Sequence, residues 1–467
     1  MKERTLEDIL KEMLPEQYTL IVGKYSNEPL KNAFCKKREG HPRQKGSTLL
    51  TRDCEITWKY LMQQSANKSR KRTAYVHIPF CSHMCLYCGF FQNYSQEERE
   101  TQYIDHLICD LESSQKDTYI QSGLFQAVFL GGGTPSTLSP YNIARLLHAI
   151  RKYLPLSNDC EVTLEGRVHD LIEEKIEAWF NGGVNRLSIG VQSFNTKIRQ
   201  MVGRIDSREI VLERLHKVAS YNQASIVVDL LFGLPGQTIT HLIDDLITID
   251  SLPIDGMDLY QLNVYEISPL RKAIDAGKIP RAATVKEQAD MFAMAHTWLN
   301  AAVYKRLSAC HWGKNSRERN LYNILSKEGA EVVPFGAGAG GKMSGYSVFL
   351  QRDLKLYMEK IAAGEKPLQS MMRKSEYRAL HIDIVRQIEQ SYLNLSFLMA
   401  KYGDRLCQLE YLLKIWQKHG LIIYGKTLSR LTVAGQFWHR NLMQSLIDCV
   451  ELILNEKVNV EQIMRHG

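Results

Sequence analysis

The stretch Tyr75-Val-His-Ile-Pro-Phe-Cys81-Ser-His-Met-Cys85-Leu-Tyr-Cys88-Gly-Phe-Phe91 decides how this chain is read. A short β-prone run stops at Ile78-Pro79 and hands three cysteines, spaced C-x3-C-x2-C, to a tight loop. Three thiolates suit a four-iron cluster that keeps one iron free of protein ligand, an open position where chemistry occurs. They also suit zinc, if His77 or His83 supplies a fourth ligand. The triplet alone leaves both metals open.

Working outward, short β-rich runs alternate with amphipathic helical patterns from Thr73 onward. Strands are predicted over 74–78, 127–130, 161–164, 186–189, 225–231 and 258–264, with helices between them. Six such units in series predict parallel strands joined by right-handed crossovers. The chemistry-bearing residues fall at the C-terminal ends of these strands. They are the cysteine loop, Gly131-Gly-Gly-Thr-Pro-Ser136, Glu165, Ser188-Ile-Gly-Val-Gln192, and Asp229 ahead of Gly233-Leu-Pro-Gly236. In parallel barrels and open α/β sheets that end builds the active site. Taken singly, the glycine run is a turn, Glu165 a capping acid and Asp229 a loop residue. Their recurrence at one end argues for a shared site.

The fold class read here is α/β, a partial (β/α)6 TIM-like barrel with flanking parts. Residues 1–72 form an N-terminal extension, 73–280 the barrel, 281–375 a helix-rich flanking substrate region, and 376–467 a small helical, winged-helix-like domain. The glycine-rich run Gly336–Gly341 has neither the lysine of a phosphate loop nor a dinucleotide spacing, and reads as close backbone packing.

Composition narrows the class. The chain has 467 residues, 44% hydrophobic and 24% charged, as in ordinary globular proteins. Of ten cysteines only one group is clustered, so a reducing compartment, the cytoplasm, is expected. No apolar run reaches bilayer length. The net charge of +8 gathers near the start, at Lys36, Lys37, Arg38, Arg43 and Lys45 and at Lys68, Arg70, Lys71 and Arg72. Without interleaved aromatics these clusters read as a solvated face before nucleic-acid binding, with attraction of an anionic substrate or acidic redox partner a third reading.

C-x3-C-x2-C with an aromatic before the last cysteine resembles the signature of radical S-adenosylmethionine enzymes. Tyr75–Cys81, the GGGTPS turn, Arg186-Leu-Ser-Ile-Gly-Val-Gln-Ser-Phe194 and Asp229-Leu-Leu-Phe-Gly-Leu-Pro-Gly-Gln-Thr238 resemble the oxygen-independent coproporphyrinogen oxidase branch. That resemblance implies a [4Fe-4S] cluster on Cys81, Cys85 and Cys88. It implies one or two S-adenosylmethionine molecules held by Tyr75, Tyr87, Gly132, Gly133, Thr134, Glu165, Gln192, Arg204 and Asp229. True coproporphyrinogen oxidases carry a cysteine two positions after the third ligand, where this chain has Phe90. The long N-terminal extension and His311-Trp-Gly-Lys-Asn-Ser-Arg-Glu-Arg-Asn-Leu-Tyr322 resemble the anaerobic heme-degrading subgroup, the anaerobilin synthases. Membership there implies methyl transfer to heme, radical ring opening to a linear tetrapyrrole, iron release, and a low-potential donor such as flavodoxin. The alternatives are a heme chaperone without turnover and a coproporphyrinogen III oxidase. Candidate heme contacts are His311 as axial ligand or proton donor and Arg317 and Arg319 as propionate partners. The competing readings are a structural histidine and arginines paired with Glu318 and other surface acids.

Overall fold

The computed structural model describes residues 4–38, 46–67, 69–455 and 460–461. Arg43, Lys45 and Lys68 of the basic clusters lie outside them. The chain divides into two compact units. A sheet unit comprises 46–282 and 311–374. A helical unit gathers 1–45, 283–310 and 375–467.

The sheet unit is built on six successive parallel strands: β1 (Arg72–Ile78), β2 (Phe125–Gly132), β3 (Leu156–Arg167), β4 (Arg186–Gln192), β5 (Ser225–Phe232) and β6 (Gly256–Gln261). Their outward side chains (Leu187, Ile189, Val191; Ile226, Val228, Leu230) are buried beneath helices such as Arg208–Ser220 and Ile239–Ser251, the usual pattern of a covered parallel sheet. Each predicted strand is present. β6 ends at Gln261, short of the expected 264, and the Leu262 N–H bond to the Phe232 carbonyl is the last of its ladder with β5.

Beyond the six strands the flanking region departs from its helix-rich reading. A seventh parallel strand, β7 (Glu331–Phe335), pairs with β1, and β8 (Gly340–Met343), β9 (Tyr346–Leu350) and β10 (Leu368–Lys374) extend the sheet antiparallel from it. These ten strands run in the order β10-β9-β8-β7-β1-β2-β3-β4-β5-β6, with Gly46–Thr48 pairing antiparallel to β10 at one edge and His311–Gly313 antiparallel to β6 at the other. The glycine-rich loop between β7 and β8 is a packing device, as expected. Gly336 takes φ +94°, and a Cβ there would stand 2.5 Å from the His77 carbonyl oxygen.

The N-terminal end of the barrel is plugged by 311–327. The helix Leu321–Lys327 starts inside, with both Glu161 oxygens accepting the otherwise orphaned N–H groups of Leu321 (3.0 Å) and Tyr322 (3.1 Å).

In the helical unit, Arg378–Glu389, Leu395–Tyr402 and Leu409–Lys418 surround a three-stranded antiparallel sheet of 392–393, 422–423 and 429–431, giving the winged-helix-like shape. The N-terminal segment is bound to it. Trp438 Nε1 donates to the carbonyls of Pro29 and Leu30, His419 reaches the Val22 carbonyl, and Leu6 N–H donates to Gln408.

Glu161→Ala removes both acceptors at the start of the plugging helix. The expected loss is about 1–3 kcal/mol, the cost of leaving buried donors unpaired, read as a lower urea midpoint in chemical denaturation.

Candidate functional site

The cysteine loop leaves β1 through a kink at Pro79. Cys81 pairs with Tyr94 in a two-residue bridge, and its carbonyl accepts from Ser95 N–H. Leu86 is tied at both ends: its N–H donates to the Val202 carbonyl and its carbonyl accepts from Leu270 N–H. Beneath it Leu86 and Tyr87 pack on a cluster of Ile198, Val202, Leu231, Leu234, Leu262 and Leu270. The loop is therefore packed on apolar residues at the C-terminal ends of β5 and β6 and tied by backbone bonds to Val202 and Leu270.

Cys81 and Cys85 are buried and Cys88 half-buried. Burial raises the Cys81 thiol, the Thr134 hydroxyl and Arg167 oppose that, and the charges of Cys88 and Cys85 add to it. Among the described residues no three His, Cys, Asp or Glu side chains yet form a metal-holding group. The sulfurs have local partners instead: Cys81 Sγ lies 3.2 Å from Thr134 Oγ1, and Cys88 Sγ accepts from Phe90 N–H at 3.3 Å. His77 is committed elsewhere. It bridges Tyr75 Oη (3.1 Å) and Gln92 (2.9 Å), and burial with Arg352 nearby lowers its pKa to about 4.

The turn after β2 runs directly beneath this loop. Gly133 N–H donates to the Ile78 carbonyl and Thr134 N–H to the Phe80 carbonyl. Gly132 takes φ +117°, and a Cβ there would sit 2.6 Å from the His77 ring. Its N–H donates to Glu165 Oε2 at 3.2 Å. At the end of β4 a register shift turns Gln192 into the left-handed region, φ +68°, a strained conformation that clusters at functional sites. Gln192 is 7% exposed and its Oε1 has no hydrogen-bond partner. Beside it Arg204 donates two bonds to Tyr87 Oη, 3.1 and 2.8 Å. Burial opposes the Arg204 charge, but Tyr87 and the nearby Cys85 and Cys88 favour it and leave its pKa raised.

Glu165 and Asp229 line the lumen, half-buried. Burial, then the charge of Asp229, pushes Glu165 up to about 8; burial, then Asp258, pushes Asp229 up to about 7. Ser188 Oγ donates to Asp229 at 3.1 Å. Tyr75, Phe129 and Tyr322 pack together beside Glu165, with ring centroids 4.7–6.4 Å apart.

The structure thus brings the cysteines, Tyr75, Tyr87, Gly132, Gly133, Thr134, Glu165, Gln192, Arg204 and Asp229 to one end of the strands. It does not bring His311, Arg317 and Arg319 there. His311 is fully buried, its Nδ1 2.9 Å from Asp258 and its Nε2 3.1 Å from Glu318, so an acid stands against each nitrogen. Burial works against its charge, but the two acids raise its pKa to about 9. Arg317 bonds Asn222 and the Ala224 carbonyl, and Arg319 the Asp159 carbonyl, all at the N-terminal strand ends. Glu318 is not a surface acid. It receives Arg186 Nε at 3.0 Å and Ser225 Oγ at 2.7 Å in the interior. Sequence reading missed Asp258, Glu318 and Tyr322. The available signal was Asp258, an acid inside an otherwise apolar strand, which a folded sheet must pair.

A carboxyl whose folded pKa exceeds its unfolded value of 4.5 holds its proton more tightly in the folded state. Its contribution to stability is full below 4.5 and is lost as pH rises through 8. The cofactor-free protein should therefore melt at progressively lower temperature across that window. Glu165→Gln should flatten the slope in circular-dichroism melts.

Residues 75–248 match the model of the radical SAM superfamily. The chain is 39% identical to the anaerobilin synthase of Escherichia coli O157:H7 over 412 residues, 88% of this chain and 90% of that one. It is 30% identical to the heme chaperone HemW of Bacillus subtilis (strain 168), over 78% of this chain and 96% of that one. Among solved structures it is similar to coproporphyrinogen III oxidase (HemN) from Escherichia coli, a radical SAM enzyme. There the TM-score is 0.73 at 20% identity, covering 86% of this chain and 96% of that one, which shows a shared partial-barrel fold. With the three-cysteine loop above the strand ends and a full-length relative at this identity, the chain belongs to the radical SAM superfamily, whose members use a [4Fe-4S] cluster and S-adenosylmethionine.

Proposed function

We propose that this protein methylates heme and opens its ring without oxygen, yielding a linear tetrapyrrole of the anaerobilin type and free iron. The observation that carries the reading is the 39% identity to an anaerobilin synthase, a match too long to fit within either unit alone. Phe90 supports it. The position where coproporphyrinogen oxidases place a further cysteine holds a solvent-exposed aromatic, 73% exposed, whose own N–H caps the Cys88 sulfur.

Cys81, Cys85 and Cys88 are assigned as cluster ligands. The donor set fits: three thiols on one short loop, within reach of one another's charge and of the Thr134 hydroxyl and Phe90 N–H, two donors that favour thiolates. When bound, the reduced cluster and S-adenosylmethionine supply a carbon-centred radical. The chain's own part is positioning. Gly132 and Gly133 lack the Cβ atoms that would crowd the strand ends. The unpartnered Gln192 Oε1 is an acceptor for an ammonium or ribose hydroxyl, and Arg204, held by Tyr87, faces a carboxylate. Glu165 and Asp229 crowd two acids into one lumen, so the pair holds a proton at neutral pH until a cation displaces it. Tyr75 and Thr134 complete the wall. A second adenosylmethionine would divide these positions with the first and supply the methyl group. Flavodoxin or a similar low-potential carrier is the electron donor, and the work is done in the cytoplasm in the service of iron acquisition. No helix of the described residues is long and apolar enough to cross a membrane.

Anaerobically reconstituted protein given adenosylmethionine, reductant and heme should bleach the heme Soret band and form 5′-deoxyadenosine. Cys88→Ala should abolish both. Heme returned intact would overturn the reading in favour of a chaperone. Turnover of coproporphyrinogen III, with heme untouched, would assign the older porphyrin-synthesising activity instead.

A further inference from the structure

His311, Arg317 and Arg319 are held elsewhere, which leaves an axial ligand and two carboxylate partners to be found for heme. The helical unit, considered by itself, contains such a set. The helix His439–Leu454 begins with His439, whose Nδ1 lies 2.9 Å from the Gln436 carbonyl oxygen. A carbonyl only accepts, so Nδ1 carries the hydrogen and Nε2 keeps its lone pair. This is the tautomer of a metal-ligating histidine, with the second nitrogen fixed by a backbone acceptor. Among the described residues Nε2 has no hydrogen-bond partner. The side chain is half-buried. Burial and the charges of Lys37 and Arg440 keep the ring neutral, with a pKa of about 3.

Two cations stand at the same place. Lys37 Nζ lies 3.7 Å above the Phe437 ring, and among the described residues neither Lys37 nor Arg440 has a carboxylate partner. Lys37 is not there by chance of a loose terminus. Asn441 clamps the backbone on both sides of it, its side-chain oxygen accepting from Arg38 N–H at 3.1 Å and its amide donating to the Lys36 carbonyl at 3.1 Å. Burial and Arg440 depress the Lys37 ammonium well below its usual range. The acid that acts on His439 is Glu389, and it is already engaged by Ala309 N–H (3.0 Å) and the charge of Arg306. A half-buried ammonium held beside a second cation is costly, and an incoming anion relieves that cost. A bare imidazole nitrogen, two unpaired cations and an aromatic face together describe a flat metal chelate bearing carboxylates.

We propose that the helical unit carries a heme-binding site in which His439 Nε2 ligates the iron and Lys37 and Arg440 bind the two propionates. This rests on the heme reading above but not on turnover, because a chaperone and a ring-opening enzyme both need to hold heme.

The test is a titration of the full-length, cluster-loaded protein with hemin, without adenosylmethionine or reductant, followed by ferric-heme electron paramagnetic resonance and difference absorption. Wild type should bind hemin with a histidine-ligated signature. His439→Ala and the more conservative His439→Gln should lose that signature, and exogenous imidazole should restore it in His439→Gly. Lys37→Ala and Arg440→Ala should each weaken hemin binding roughly tenfold, the scale of one charge-assisted hydrogen bond. Neither substitution should alter the affinity for heme dimethyl ester. An unchanged signature and affinity in His439→Gln overturns the site while leaving the proposed function standing if heme is still consumed. Absence of hemin binding in wild type overturns the site, and joined to absence of turnover it overturns the heme reading as well.

Discussion

The buried pair of Arg186 and Glu318 is the constraint on which the sheet unit depends. Both side chains are nearly inaccessible, and moving two charges into an interior costs several kcal/mol per ion unless each is fully engaged. Here the engagement is multiple. Burial works to raise the Glu318 pKa, but Arg186, His311 and Ser225 together hold it at about 2. These contacts join β4 and β5 to the 311–327 segment, and His311 carries the connection on to Asp258 in β6. They act together with the backbone pairing of His311–Gly313 on β6 and the Glu161 acceptors at Leu321 and Tyr322. With them, Tyr322 is delivered to the lumen, against Phe129 and within reach of the Glu165 charge.

The same polar core explains why two acids can stand at the upper end. Asp229 and Asp258 are direct neighbours across β5 and β6, and Glu165 feels both. His311 and Arg186 supply the compensating charge from beneath, so the lumen tolerates acids without being neutralised by a salt bridge at its mouth. A site left polar but unpaired is free to take a cationic or hydroxylated ligand.

Much of this was legible in the sequence, for physical reasons. Strand ends announce themselves through glycine and proline, so the cysteine loop, the glycine turn after β2 and Ser188–Gln192 could be placed on one rim from the sequence, whereas the bulge at Gln192 could not. The interior of the barrel could not. Periodicity marks an apolar face, whereas the inner face here alternates Arg186, Ser188 and Gly190, which reads as solvent-facing. Strands β7 to β10 were missed for a related cause: β8 begins in glycines and β10 is rich in polar residues, and both depend on pairing, not on propensity. His311 and the two arginines looked like ligands because the sequence shows charge but not the acid across the way.

The helical unit draws on three separated parts of the chain, and this sets an order of events. Arg38 and Asn441 lie 403 positions apart, yet Asn441 is what fixes the backbone around Lys37. Contacts of such long range bring loop-closure entropy that only the finished partner repays. A growing chain therefore has its whole sheet unit, cysteine loop included, available before the last helix exists to receive the N-terminal segment. The apparatus that makes the radical is assembled first, and the place proposed for its substrate is completed last.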